Sequence, residues 1–294
     1  MDVSGDWKIH SRKEFDSPES RVTAPGQGSI FMILPLVGII QLLFFGVLAM
    51  GMAFGQALAD PGTVNVEAKQ IQLHHRDPDL HKIGRLSFLG GLSLTAENSG
   101  FGGFSGLTVS ADGKNFLAIS DRGALLRADL VYSQGFLSGF LDGQLCLLKN
   151  GWGKVLKGKK GDAEALVILS DGSLAVSFER DHRIDYYPPT TADRADCSKI
   201  EAARGLYQLQ SWDSLPPNEG FEALTMLNAT ILLAISEGGD IGDGRLIGWL
   251  LGQKGSTSIY YRPSGTGYRP TDLTKLPDGD FLVLERRFSI LSGV

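Results

Sequence analysis

The sequence predicts an all-β fold, a β-propeller built from repeated four-stranded blades. One hairpin recurs four times, at 104–123, 163–180, 221–238 and 269–287, as an apolar strand, a tight turn and a second apolar strand that runs into an acid. These exit acids stand 58, 58 and 48 residues apart: Asp121, Glu179, Glu237 and Glu285. A fixed period near this length, with strands inside it, is typical of radial β repeats. The alternative, an ordinary β-sandwich, gives no reason for an acid after the second strand of every unit.

The amino-terminal part, which precedes the repeats, has a different composition. Residues 1–29 are polar, mixed in charge and without a hydrophobic pattern, which predicts disorder. Residues 30–54 form an uncharged apolar run of 25 residues, long enough for a helix that crosses a bilayer. Ala57 and Ala59 then form an A-x-A cleavage pattern. The segment 30–59 is therefore a cleaved signal peptide or a retained transmembrane anchor, and both interpretations carry the predicted propeller domain, 60–294, across a membrane.

Further strands surround the repeated hairpins. Two strand-like pieces, 64–75 and 84–95, precede the first repeat, and we expect one or both to complete the last blade and close the ring. The first three repeats are each followed by two outer strands: 124–132 and 143–150, 182–187 and 204–209, 245–251 and 256–262. Only 289–294 follow the fourth repeat, which predicts a chain truncated within its fourth unit.

Charge and cysteine content narrow the classes of partner. The formal net charge is −5, which argues against nucleic acid because a phosphate backbone needs clustered Lys and Arg. The one basic run, 154–160, is a solvated loop or a binding patch. Cys146 and Cys197 lack the spacing of a zinc site. In an oxidising compartment they would form a disulfide, and otherwise they are two separate thiols.

Four phrases in order carry a resemblance to a known family: FGGFSGL…DG…LAISDRG, DAEALVILSDGSLAVSFERDHRI, NEGFEALTML and YRPTDLTKLPDGDFLVLERRFSIL. From about residue 86 onward the chain resembles the phytase-like family, also called the "esterase-like activity of phytase" family, a group of exported bacterial proteins. The resemblance implies a β-propeller and an analogy to calcium-dependent phytases. Together with the leader it predicts a protein that is periplasmic or anchored in the inner membrane by 30–54 and facing the periplasm.

Acidic residues recur at one end of every hairpin. Entry acids begin the first strand and exit acids end the second, so both kinds lie at the same end of an antiparallel pair. Because inner strands line the channel of a propeller, we expect these carboxylates to ring one mouth of it, with Asp162 and Glu219 nearby. Converging carboxylates need a hard cation or arginines beside them, and Ca²⁺ prefers six to eight oxygens. The predicted Ca²⁺ ligands are Asp121, Glu164, Glu179, Glu222, Glu237, Asp272 and Glu285.

Arginines are interleaved with these acids, and guanidinium groups match phosphate oxygens in geometry. A face with both Ca²⁺ and arginines suits a small phosphoester, and we expect Glu222 and Glu164 to act as catalytic residues that orient or deprotonate water. The predicted phosphate ligands are Arg122, Arg180, Arg183, Arg269 and Arg286.

Two other interpretations stay open beside the phosphoesterase hypothesis. The acids and arginines form salt bridges between blades and cap backbone amides, or the propeller binds a ligand or protein partner at the cell envelope without turnover. A serine esterase is disfavoured, because the sequence has no G-x-S-x-G elbow and His182 is the one histidine within the repeats.

Overall fold

The computed structural model describes residues 6–12, 31–32, 62–189, 203–207, 212 and 215–287, and only the backbone of 6–12, 31–32 and 204–207. The regular secondary structure of these residues is β-strand apart from short 3₁₀ segments at Gly158–Lys160 and at Trp212, which confirms the all-β prediction. Six strands precede the repeats: β1 (Asp6–Arg12), β2 (Phe31–Met32), β3 (Val66–Ile71), β4 (Lys82–Ile83), β5 (Leu86–Phe88) and β6 (Gly91–Ala96).

The first three repeats form the predicted four-stranded antiparallel sheets, here called the first, second and third blades. The first blade contains β7 (Phe104–Val109), β8 (Asn115–Ser120), β9 (Ala124–Ser133) and β10 (Phe136–Leu147). The second contains β11 (Ala163–Ile168), β12 (Leu174–Phe178), β13 (Arg183–Tyr187) and β14 (Arg204–Tyr207). The third contains β15 (Phe221–Asn228), β16 (Ile231–Ser236), β17 (Leu246–Gly252) and β18 (Gly255–Tyr261). Strand order follows chain order in each blade.

The fourth blade has three strands among the described residues. Its hairpin, β19 (Tyr268–Lys275) and β20 (Phe281–Arg287), is joined on the β20 side by β1 in antiparallel pairing. The predicted disorder of 1–29 is therefore wrong for Asp6–Arg12, and the rest of that segment lies outside the described residues. The sequence of β1 is mostly charged and polar. It pairs through main-chain hydrogen bonds with a free sheet edge, and such pairing does not require an apolar pattern in the sequence.

The two amino-terminal strands that were expected to close the ring, within 64–75 and 84–95, do not join the fourth blade. Strands β3 and β6 pair with each other and pack against the first blade, and neither pairs with β20. Strands β2, β4 and β5 form a separate small sheet. The predicted helix over 30–54 lies outside the described residues except for Phe31–Met32, which pair in parallel with β5. Within the described part of the chain, no helix has the length and apolar character needed to cross a membrane.

Apolar side chains between successive blades form the core. The inner strands β7, β11, β15 and β19 pack in series, and buried clusters fill each gap between blades. Between the second and third blades the core is aromatic, with the Phe221 ring centroid 4.5 Å from that of Trp212 and 5.2 Å from that of Trp249. Cys146, buried in the core between the first two blades, forms a disulfide, and Cys197, the chain's other cysteine, lies outside the described residues.

Candidate functional site

A β-bulge at the start of each inner strand aims the entry acids. In the second blade Ala163 pairs with Phe178 and Ala165 with Ser177, so that Glu164 is the extra, unpaired residue. Glu222 occupies the same position in the third blade, and Ser105 in the first. A bulge re-aims the side chain of its extra residue. The backbone therefore directs Glu164 and Glu222 toward the same end of the blades.

The backbone also fixes the exit acids. The N–H of Asp121 donates to the carbonyl of Gly103 at 2.8 Å, Glu179 N–H to Asp162 at 2.8 Å, and Glu237 N–H to Gly220 at 2.9 Å. In each case the acceptor stands immediately before the inner strand of the same blade. The repeated bond places each exit acid beside the entry bulge, as the spacing predicts.

The fourth blade departs from the predicted register by one residue. Here Pro270 pairs with Glu285 and Asp272 with Leu284, so that Thr271 is the bulge residue and Arg286 takes the exit position. The prediction of Glu285 as a mouth acid is therefore wrong. Its buried carboxylate accepts hydrogen bonds from Tyr261 Oη at 2.7 Å and Ser264 N at 3.1 Å, because a one-residue shift turns a strand side chain to the other face.

Five carboxylates from the second and third blades meet at the mouth. The carboxylate oxygens of Asp162, Glu164 and Glu179 lie within 4.8 Å of one another, and so do those of Glu179, Glu222 and Glu237. Glu179 belongs to both groups and joins them. We call these five residues the acidic mouth. The expected convergence of entry and exit acids is thus found in two blades, and Asp162, which was not among the predicted ligands, belongs to it as the acid directly before β11.

Burial and mutual repulsion disfavour the charged form of these groups. Burial and then the Glu179 charge raise the pKa of Glu164 to about 8. Burial, followed by Glu237 and Glu164, raises the pKa of Glu222 well above its usual value, and Arg286 opposes this rise. Burial also raises the pKa values of Glu179, Glu237 and Asp162. Without a cation, the mouth therefore retains protons near neutral pH.

Two predicted ligands lie outside the acidic mouth. Asp121 is half-exposed, and its charge helps to raise the pKa values of Asp162 and Glu164 without its oxygens joining either group. Asp272 follows the bulge, in the position that Gly106 and Ala165 hold in other blades. Its Oδ1 accepts a hydrogen bond from Leu273 N at 2.7 Å, and burial raises its pKa to about 7.

The predicted phosphate ligands divide into two sets. The guanidinium of Arg183 donates to Asp185 Oδ2 at 2.9 Å and to the Lys160 carbonyl at 2.6 Å, and it stacks on the Phe178 ring. Arg122 donates to the carbonyls of the loop before β7. Both guanidinium groups hold neighbouring chain segments, although the side chain of Arg122 remains half-exposed.

The other three arginines face the acids. The Nε of Arg180 lies 2.8 Å from Asp162 Oδ2. Arg269 and Arg286 stand opposite each other on β19 and β20, and both charges lower the pKa of Glu237. The structure thus brings cations to the second-blade side and to the fourth-blade side of the acidic mouth.

The donor chemistry of the acidic mouth fits a hard cation. Each group of three offers one carboxylate oxygen per residue within 4.8 Å, and Ca²⁺ takes oxygen ligands in flexible geometry. Buried like charges at this separation favour either protons or a bound cation. Asp162, Glu164 and Glu179 would hold Ca²⁺ on one side, and Glu179, Glu222 and Glu237 on the other.

Antiparallel blades packed in series, with carboxylates gathered at one end, define a mostly β protein built from repeated units. A family model described as "Phytase-like: Esterase-like activity of phytase" matches residues 99–294. The chain therefore belongs to the phytase-like family, as the four sequence phrases predict. No curated protein sequence matches it.

Solved structures that match the chain are distant in sequence and have low TM-scores. Virginiamycin B lyase from Staphylococcus aureus is 14% identical at a TM-score of 0.36, with 78% of this chain and 58% of the lyase covered. The β-propeller domain of Cps50 (Swd1) from Myceliophteria thermophila is 13% identical at a TM-score of 0.33, with 61% and 53% covered. The chain thus spans less than two thirds of the length of either structure.

Proposed function

We propose that this phytase-like protein is an exported, Ca²⁺-dependent phosphoesterase whose acidic mouth holds the cation. The observation that carries the proposal is the position of Glu179, whose carboxylate lies within 4.8 Å of two pairs of acids at once. Five carboxylates in this arrangement carry more negative charge than Arg180 and Arg286 offset, and burial strengthens the repulsion. A bound Ca²⁺ would remove that repulsion and use the oxygens that the bulges direct inward.

Arginines supply the complementary half of a phosphoester site. Arg286 and Arg269 lie beside Glu237 on the fourth blade, where their guanidinium groups would donate hydrogen bonds to phosphate oxygens. When bound, Ca²⁺ supplies Lewis-acid polarisation of a phosphoryl group. Glu222 feels the charges of both Glu179 and Arg286, and in its ionised form it would orient or deprotonate the attacking water. Glu164, hydrogen-bonded to Ser105, would share that role.

The proposed location is the periplasm, either free or anchored to the inner membrane by 30–54. The disulfide of Cys146 supports export, because disulfides persist in oxidising compartments. A helix over 30–54 that spans the inner membrane would place Asp6–Arg12 on the opposite side from β20, and cleavage after Ala59 would remove Asp6–Arg12, so export by either route would separate β1 from β20.

The second candidate is a non-catalytic propeller that binds a ligand or protein partner at the cell envelope. It is favoured by the internal pairing of several charges, since Arg180 already contacts Asp162 and Arg183 is fully engaged. The two candidates differ in one property. Only the enzyme turns over a phosphoester at the mouth that binds the cation.

Thermal unfolding of the full chain in EDTA and in millimolar Ca²⁺ tests the proposal. A ligand at about 100 times its Kd adds roughly 2.7 kcal/mol of stability, or about 5 to 11 °C in Tm for a domain of this size. We expect this shift to vanish in Glu164→Gln and Glu222→Gln and to persist in the matched control Glu97→Gln, which changes an exposed carboxylate away from the acids. Absence of any shift in the wild type would exclude the cation site. A shift without hydrolysis of p-nitrophenyl phosphate would favour the non-catalytic candidate.

A further inference from the structure

A rigid loop tip after β10 exposes a tryptophan to solvent. Trp152 is 91% exposed, whereas the side chains of Trp212 and Trp249 are buried. The tip is held closed because Asn150 Oδ1 accepts hydrogen bonds from Trp152 N at 3.1 Å and Lys154 N at 3.0 Å. An antiparallel bridge between Lys149 and Val155 closes the base of the tip. The indole is therefore presented outward by a fixed backbone and not by a loose segment.

Lysines flank Trp152 in the sequence without any intervening acid. Between 147 and 161 the chain carries five basic residues and no Asp or Glu, although its overall net charge is −5: Lys149, Lys154, Lys157, Lys159 and Lys160. The last four are exposed, and among the described residues their side chains form no ion pair. A single exposed apolar side chain needs no explanation, but an exposed indole in a loop that also carries four exposed lysines is complementary to an anionic surface. We call residues 149–160 the Trp152 loop.

The Trp152 loop lies at the mouth end of the blades. Its first residues continue from Leu147, which pairs with Ala124 just after the exit position of the first blade, and Leu148 N–H donates to the Gly123 carbonyl at 2.9 Å. Its other end leads directly into Asp162 of the acidic mouth. The loop therefore stands on the same face as the carboxylates, toward the outer side of the first two blades.

We propose that the Trp152 loop docks on an anionic lipid bilayer. Indole rings favour the interface between headgroups and acyl chains, because one edge is apolar and the ring N–H stays hydrated. Lysines near an anionic membrane surface add electrostatic attraction that salt screens. Docking in this way would turn the mouth face of the propeller toward the bilayer. The inference goes beyond the proposed Ca²⁺ site, since it uses none of the carboxylates.

Quenching of Trp152 by brominated phospholipid tests this inference on the full chain. Residues 30–54 are expected to hold the chain on any vesicle, so total binding is uninformative and the readout is Trp152 itself. The difference in fluorescence between the wild type and Trp152→Ala isolates this indole. We expect quenching in vesicles that contain phosphatidylglycerol, little in vesicles of phosphatidylcholine alone, and loss of quenching at high salt.

Two double variants that remove the same charge distinguish an effect of the Trp152 loop from an effect of the overall charge of the protein. Lys154→Gln/Lys157→Gln is expected to lower the ratio of docked to undocked protein by roughly 30-fold. Lys114→Gln/Lys254→Gln changes the charge equally in hairpin turns at the opposite end of the blades, and should leave quenching unchanged. Docking is refuted if Trp152 stays unquenched on anionic vesicles. That result would be expected if the loop instead bound a soluble anion or a protein. Equal quenching on both kinds of vesicle, or equal loss in both lysine pairs, also refutes it.

Discussion

Glu164 makes the stability of the metal-free protein depend on pH in an unusual direction. Burial and the charges of Glu179 and Asp162 raise its pKa from 4.5 to about 8. The folded protein therefore binds a proton that the unfolded chain releases above pH 4.5. The stability gained from this proton is fully present below the unfolded pKa and is lost as pH rises through the folded pKa. In EDTA, acidification from pH 8 toward pH 5 should stabilise the fold.

The structure sets the size of the effect. The full change in pKa corresponds to about 5 kcal/mol at 1.36 kcal/mol per unit. Titration is incomplete at pH 8, and solvent screens a partly exposed carboxylate, which reduces the difference between pH 5 and pH 8 to roughly 3 kcal/mol. That difference is about 6 to 12 °C in Tm for a domain of this size. Glu222 shifts in the same direction, so the wild-type slope is at least this steep.

The assay is thermal unfolding in EDTA, followed by circular dichroism across this pH range. Glu164→Gln fixes the neutral form, so it should match the wild type at pH 5 and exceed it by about 3 kcal/mol at pH 8. Glu97→Gln serves as the matched control and should follow the wild type throughout. An unchanged slope in Glu164→Gln would refute the assignment of a retained proton to this carboxylate. A less stable variant at pH 8 would show that the acidic mouth is held by ion pairs in place of protons.

Three further predictions concern other parts of the fold. Arg286→Ala removes the cation beside the third-blade acids, so the pKa of Glu237 should rise further in an NMR titration with labelled glutamate. Gly106→Ala would place a Cβ 2.8 Å from a backbone atom of β11, and chemical denaturation should show a loss of about 1 to 3 kcal/mol, whereas Gly139→Ala, with 3.4 Å to its nearest neighbour, should cost little. Reduction of the Cys146 disulfide, or replacement by Ser, should lower the unfolding free energy by about 2 to 5 kcal/mol.

The repeats and the blades could be predicted because their signals are local. The Asp-Gly pairs of the turns can be recognised in the sequence. Gly172 and Gly279 adopt the positive φ, 81° and 91°, that such turns require. Strands such as β12, buried along its whole length, follow from apolar runs between those turns. The convergence of Glu164 and Glu179 also follows, since both ends of one hairpin share one edge.

Register and sheet edges carry no comparable local signal. The bulge in the fourth blade moves the exit position from the predicted Glu285 to Arg286, a shift of one residue that the spacing of the repeats does not reveal. The pairing of Asp6–Arg12 with β20 depends on an open edge nearly 270 residues away, which only the folded chain reveals. The internal bonds of Arg183 likewise depend on the loop that brings the Lys160 carbonyl beside it.

In the fourth blade Arg286 takes the position that an exit acid holds in the other blades, and the acidic mouth therefore has two unlike sides. On the fourth-blade side, Arg286 and Arg269 counter the charge of Glu237, and their guanidinium groups are oriented by β20 and β19. On the second-blade side, Arg180 pairs with Asp162, and Glu164 is left with neighbouring acids that raise its pKa. Under the proposed function, the cation would lie beside Glu164 and the phosphate beside Arg286. A mouth divided in this way would accommodate a metal ion on one side and the negative charge of a phosphoester on the other, as the proposed function requires.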